Sequence, residues 1–342
     1  LMPEEASNTG DRANERLLAL LEGFNWEQKG VSDVDISCEK HSHDQDDHGI
    51  DGFALYEDPY LTKERGVLVE SKSKQWNSWN PGEVDDGASQ VRKALECASR
   101  SPNFDQKLGF GEGGLAIDAA ILGAWTNSEE ESDRGDFDAD TFDGYVQGCE
   151  LKETGGGCDQ VVILANDDLH RLASMQSKHE NIRLTYVQGE DENGDELDGE
   201  LAYFHPSLKR SNHPPQQKPA LSVEQLFSSQ VIAKMRRAIT DPDSYETEVT
   251  DITIVYNFEE VTEDSLRYIN KSLINSSAID SETNEIWFYS YMKNTEEEDT
   301  IYEAITEEMK SNILSDKLDY KFKAIPRIDF KTYAENLIDE EQ

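Results

Sequence analysis

At 342 residues the chain is long enough for two or three domains, each able to bury a core without disulfides or oligomerisation. Asp and Glu number 72 against 32 Lys and Arg, a formal net charge of −40, yet apolar residues make up 36% and recur periodically, which excludes a disordered acidic tail. No run approaches ~20 consecutive apolar residues, the start of the chain is neither basic nor apolar enough for a signal peptide, and the four cysteines are scattered without CxxC spacing. The expectation is a soluble cytoplasmic protein with free thiols and no membrane partner.

The acidity runs along the whole length, as on proteins solvated by a multimolar-salt cytoplasm, so a halophilic source is expected. At low salt such a charge repels polyanions. At about 1 M salt the Debye length falls to roughly 3 Å, so only contacts at a site count and a nucleic-acid substrate is not excluded.

In chain order, Ala13 to Glu22 reads as an amphipathic helix stopped by Gly23. After a polar loop come two strand patterns, Ile50 to Tyr56 and Gly66 to Lys72, separated by a turn at Glu57-Asp58-Pro59. A helix from Val84 to Ala98 follows, with Val91, Ala94, Leu95 and Ala98 on one stripe. Leu115 to Thr126 is apolar without a readable period, and Asn127 to Thr141 reads as an acidic loop. Asp159 to Asn166 predicts a buried strand, Asp168 to Ser177 a helix, Ile182 to Val187 a strand, and Gly189 to Gly199 an acidic turn. Four prolines between Pro206 and Pro219, with basic residues in place of the acidic background, mark a linker. Beyond it the pattern predicts helix 222–239, strand 249–257, helix 262–275, strand 285–291, helix 299–314 and strand 319–325. The expected architecture is α/β, with one domain over 1–205, a Pro-rich linker over 206–221, and a second α/β domain over 222–342 for partner or substrate contacts.

The chemistry concentrates in His48-Gly-Ile-Asp51-Gly and Val69-Glu70-Ser-Lys72. Strand side chains alternate, so Glu70 and Lys72 share a face and Ser71, expected to pack, points the other way. If the two strands pair antiparallel, Asp51 lies beside Glu70. Two carboxylates and a backbone carbonyl then form a hard oxygen site suited to Mg²⁺ or Mn²⁺, with an ammonium one pleat away. In so acidic a chain the carboxylates alone mean little; a lysine closing an apolar strand means more. The plainer reading is a solvated strand end beside a tight turn.

An Asp ahead of a strand ending in Glu-x-Lys, in an αββα frame, resembles the PD-(D/E)XK, or restriction-endonuclease-like, nuclease superfamily. The resemblance covers about residues 12–98 at the level of motif, with Ile50 where the family has proline. It implies a mixed-sheet core and a metal-dependent endonuclease acting on DNA, with Asp51 and Glu70 as metal ligands and Lys72 supporting the attacking water. It further implies a ligand from the first helix, Glu22 or Glu15, and a site-facing Gln90 on the following helix. Homodimerisation is common in the superfamily. The His-Gly-Ile-Asp-Gly stretch followed by Tyr-Glu-Asp-Pro is similar to a subgroup in two-gene antiphage defence systems, which implies a second defence protein as partner. The reading from another class is a noncatalytic nucleic-acid-binding or interaction subunit that keeps the fold.

Other features compete. Cys38, His41 and His43, with His48 beyond, have zinc-ligand composition, although loop histidines are often simply exposed; alternatively His48 contacts substrate phosphate. Gly109-Phe-Gly111-Glu-Gly-Gly114 matches G-x-G-x-x-G but follows no strand, and Glu112 opposes a pyrophosphate, so a flexible loop fits better. Basic residues at Lys209, Arg210, Lys218, Lys234, Arg236 and Arg237, and again at Lys317, Lys321, Lys323, Arg327 and Lys331, either track a phosphate backbone or pair with the acidic surface. Trp76 and Trp79 either stack on bases or pack into the core.

Overall fold

The structure, a computed structural model, describes residues 3–30, 34–38, 47–58, 63–98, 116–126, 138–149, 160–188, 198–205, 220–240, 247–291, 301–303, 306 and 318–340. It divides into two compact units, one of Leu1–His170, Ala220–Phe227 and Asp329–Gln342, the other of Arg171–Pro219 and Ser228–Ile328. No described helix is long and apolar enough to cross a membrane.

The first unit is built on a mixed five-stranded sheet. Its elements are α1 (Pro3–Glu22), β1 (Glu27–Gln28), the hairpin β2 (Val34–Ser37) and β3 (Asp47–Ile50), β4 (Gly52–Asp58), β5 (Lys63–Lys74), α2 (Pro81–Ala98), β6 (Ala116–Thr126), α3 (Ala139–Gln147) and β7 (Gln160–Leu164). The strand order is β1-β4-β5-β6-β7, with β4 and β5 antiparallel and β5, β6 and β7 parallel. Fully buried Leu17, Leu20 and Leu21 recur at helical spacing on α1, while Val84, Ala88, Val91 and Leu95 of α2 pack with Phe53, Leu68 and Leu122 of the sheet. Ala119, Ala120, Ile121 and Leu122 of the interior strand β6 are each at most 1% exposed. A strand covered on both faces has no polar alternation, which is why Leu115 to Thr126 carries no readable period.

Two later segments belong to this unit. Short helix α5 (Val223–Leu226) is held by Leu221 N donating to Phe24 O (3.1 Å) and Trp26 Nε1 donating to Leu221 O (2.6 Å). Helix α7 (Phe330–Glu340) lies on α1, with Phe330 edge-on to Trp125. The division thus differs from a boundary at 206–221. Residues 206–219 lie outside the described residues, and the apolar residues that follow them bury Leu221, Val223 and Leu226 in the first unit.

Arg12 and Arg16 of α1 both bond Glu335 of α7, Arg16 through Nε at 2.7 Å. Hydrogen bonds from Arg12, then from Arg16, outweigh partial burial and hold the Glu335 carboxyl below its ordinary 4.5. A carboxylate with a depressed folded-state value contributes stability above pH about 4.5, lost as pH falls through that lower value. Glu335→Gln is therefore expected to cost about 1 kcal/mol near neutrality, measured by denaturant unfolding, with the difference from wild type shrinking in acid.

The second unit contains most of α4 (Asn166–Tyr186), then β8 (Asp198–Tyr203), β9 (Gln230–Thr240), β10 (Thr247–Asn257), α6 (Glu263–Asn275), β11 (Thr283–Tyr291) and β12 (Asp319–Ile325). Its sheet runs β12-β11-β10-β9-β8, parallel from β10 to β12 and antiparallel from β8 to β10. Leu266, Ile269 and Leu273 of α6 pack against Val255, Ile286 and Phe288. Two expectations are corrected here. Residues 230–240 form a strand, not a helix, because Val231, Ala233 and Met235 are buried with a period of two between paired neighbours. The stretch from 182 continues α4 to Tyr186, with Ile182 buried, so β-branched composition there yields to packing. Of the expected helix 299–314 only residues 301–303 and 306 are described, and these are helical; the acidic turn at 189–199 lies largely outside the described residues.

Candidate active site

The motif forms where β4 ends and β5 does not. The two strands pair as far as Gly52 opposite Val69, after which the chain bends away at Asp51. Strand β5 continues to Lys74, paired on its other edge with β6 (Glu70 opposite Leu122, Lys72 opposite Ala124). The backbone of residues 70–72 therefore has an edge from which β4 has departed, and Asp51 fills it. Its Oδ2 accepts from the Ser71 backbone N–H at 2.7 Å and from Ser71 Oγ at 3.1 Å.

This corrects the expectation for Ser71. It is 9% exposed, and rather than merely packing it fixes one carboxylate oxygen of Asp51. The N–H and C=O of one strand residue face the same side, so the Ser71 carbonyl shares that edge with Asp51.

Glu70 and Lys72 share a face with Leu68, which packs under α2. Glu70 is 7% exposed. Lys72 Nζ donates to Gln90 Oε1 of α2 at 3.2 Å, so the helix glutamine does reach the motif lysine. The lysine stem runs past Gly87, where an added Cβ would meet Lys72 Cδ at 3.4 Å and Leu122 Cδ2 at 3.1 Å. Lys74, two residues on, is engaged differently: it pairs with Glu83 and lies 5.5 Å over the Trp79 ring.

From α1, Asn14 reaches Asp51, a contact not expected from the sequence. Asn14 is 4% exposed, its Nδ2 donates to the Asp51 carbonyl at 2.7 Å, and its Oδ1 is buried with no hydrogen-bond partner among the described residues. A Cβ on Gly52 would stand 3.5 Å from that Oδ1 and 3.1 Å from Leu18 Cδ1, so the glycine lets α1 sit this close. Glu22 is about 12 Å further along the helix axis than Asn14, beyond Leu18. Glu15 is exposed and bonded to Arg12. The one available signal for Asn14 was a polar residue on the Ala13, Leu17, Leu20 and Leu21 stripe.

His48 is 6% exposed and grouped with Cys38 and Cys97, their donor atoms lying within 4.8 Å of one another, instead of standing on open surface. His41, His43 and the Gly109 to Gly114 motif lie outside the described residues. Trp79 is 5% exposed and edge-on to Phe142, and Trp76 stacks on Tyr145, so both tryptophans are packing groups. Of the basic residues, Lys234 donates to Ala278 O at 2.7 Å and to Thr253 Oγ1 at 3.1 Å, and Lys321 pairs with Glu285 at 2.6 Å, whereas Arg236 is largely exposed. Lys209, Arg210, Lys218 and Lys317 lie outside the described residues.

A family model described as the GAPS4 protein PD-(D/E)XK nuclease domain matches residues 2–168. No curated protein sequence matches the chain. Among solved structures, unliganded yeast PDE1 aligns over 92% of this chain and 94% of that one, at 8% identity and a TM-score of 0.17, too low to bear on fold or function.

Proposed function

We propose, on the match of residues 2–168 to the PD-(D/E)XK nuclease domain model, that the protein is a Mg²⁺- or Mn²⁺-dependent endonuclease that cuts DNA in antiphage defence. The observation that carries the reading is Asp51 held against the Glu70-Ser71-Lys72 edge by two hydrogen bonds from Ser71. The donor set fits a hard divalent cation: Asp51 and Glu70 would supply carboxylate oxygens and Ser71 a carbonyl, with no nitrogen or sulfur among them. When bound, such an ion supplies an activated water and Lewis-acid stabilisation of charge on the phosphate.

The chain's own residues do the rest. Ser71 orients Asp51 by fixing one of its carboxylate oxygens at the strand edge. Lys72, oriented by Gln90, holds the attacking water or a phosphate oxygen on the side where negative charge develops. The second unit supplies contacts to DNA or to a second defence protein, and the net charge of −40 suits a salt-rich cytoplasm in which long-range repulsion of DNA is screened.

The test is incubation of the purified chain in multimolar KCl with supercoiled plasmid and single-stranded oligonucleotide, with Mg²⁺, Mn²⁺ or chelator. Expected is nicking or linearisation that chelator abolishes. Cleavage that survives chelation would remove the metal mechanism. Absence of cleavage under all conditions, with the fold intact, would favour an interaction subunit.

A further inference from the structure

Three soft or borderline donors apart from Asp51, Glu70 and Lys72 meet in the first unit. Cys38 follows β2, His48 lies in β3, and Cys97 lies in the last turn of α2. The β2–β3 register sets Ile36 opposite His48, so Cys38, two residues on, is the diagonal neighbour of His48 on one face of the hairpin. That face packs on α2, and Cys97 completes the group, all three donor atoms lying within 4.8 Å of one another. His48 is 6% exposed and Cys97 2%.

We propose that Cys38, His48 and Cys97 bind a zinc ion that fastens the β2–β3 hairpin to the C-terminal turn of α2. Thiolate and imidazole favour zinc over magnesium or calcium. Zn–S of about 2.3 Å and Zn–N of about 2.0–2.1 Å place the donors of a tetrahedral site about 3.5–3.8 Å apart, so an adjustment of about 1 Å closes this cluster around the ion. The three donors fill three corners of the tetrahedron, and a water or a further side chain takes the fourth. Both thiols ionise on binding and release their protons to solvent, with no redox change.

The fold gives such an ion work to do. The two strands of the hairpin have four residues each, and an isolated two-stranded hairpin is marginal in water. Strand β3 ends at Ile50 and leads directly into Asp51, so fastening the hairpin also fixes the backbone that delivers that carboxylate. Sequence spacing concealed the site because Cys97 is remote from the other two ligands.

The protein is purified reduced and without chelator, equilibrated with zinc, washed, and its metal measured by mass spectrometry. One zinc per chain is expected, falling to a small fraction in Cys97→Ser and His48→Gln and unchanged in Cys149→Ser. Cobalt exchanged into the wild type should give the intense visible bands and thiolate charge-transfer absorption of a tetrahedral sulfur-containing site, a readout that needs no variant to fold. Asp51→Asn should lose Mg²⁺-dependent cleavage and keep its zinc, which separates this site from the nuclease reading. A wild type that retains no zinc and shows no such cobalt spectrum overturns the proposal. So does full zinc in both ligand variants, or a Cys38–Cys97 disulfide in protein trapped directly from cells.

Discussion

If the protein cuts DNA as proposed, replacing Lys72 by alanine is expected to slow cleavage by about 10²–10³-fold while leaving the protein folded, because in that mechanism the ammonium acts on charge that develops only in the transition state. The structural cost is small: the bond lost is a 3.2 Å contact with Gln90. Lys74→Ala is the matched control. That lysine answers Glu83 and the Trp79 ring, so its loss should lower the melting temperature slightly and change the cleavage rate by less than about tenfold. Ser71→Ala should fall between the two, since the backbone N–H that holds Asp51 survives the substitution. Single-turnover cleavage at saturating Mg²⁺, with circular dichroism of each variant, reads all three. Equal losses for Lys72→Ala and Lys74→Ala would remove the catalytic assignment of Lys72.

A second large effect is expected at the other end of β5. Arg65 has a side chain 6% exposed that bonds Asp118 (2.7 Å), Glu224 (2.7 Å), Asp58 (3.2 Å) and the Tyr56 hydroxyl (3.1 Å). Burial opposes its charge, but the bonds to Glu224, Tyr56 and Asp118 keep the guanidinium firmly protonated; burial drives the Tyr56 hydroxyl far above its ordinary value. Arg65→Met would leave Asp58, 1% exposed, as a buried charge without its cation. Stripping one partner from such a pair costs about 3–5 kcal/mol. The loss is to be measured by denaturant unfolding, and a double variant, Arg65→Met with Asp58→Leu, should recover a substantial part of it. A cost under about 1 kcal/mol would mean that water solvates Asp58 readily, and the network would then count for little.

The part of the site written as local alternation was legible in the sequence. Glu70 and Lys72 share a face because strands have a period of two, and Gln90 faces the lysine because it lies on α2 one turn beyond Gly87, which the lysine stem passes. What was not legible depends on approach between elements. Asn14 contacts Asp51 only because Gly52 lets α1 come close, and Cys97 meets His48 only because α2 packs on the hairpin. Ser71 was misread for a related reason. Alternation gives the face of a side chain but does not show where a neighbouring strand stops, and it is the departure of β4 that turns the Ser71 backbone toward Asp51. In the second unit, strand β9 was hidden by its proximity to Val223 and Leu226, whose helical spacing extended the helix reading past Ser228-Ser229.

Helix α7, which packs on α1, is the last described element to leave the ribosome. During synthesis Arg12 and Arg16 wait for Glu335 until more than three hundred residues have followed them. A nascent chain interrupted between Lys72 and that point carries the whole Asp51–Lys72 motif on an unfinished scaffold. Truncation after the motif therefore separates possession of these residues from completion of the helix pair that braces α1.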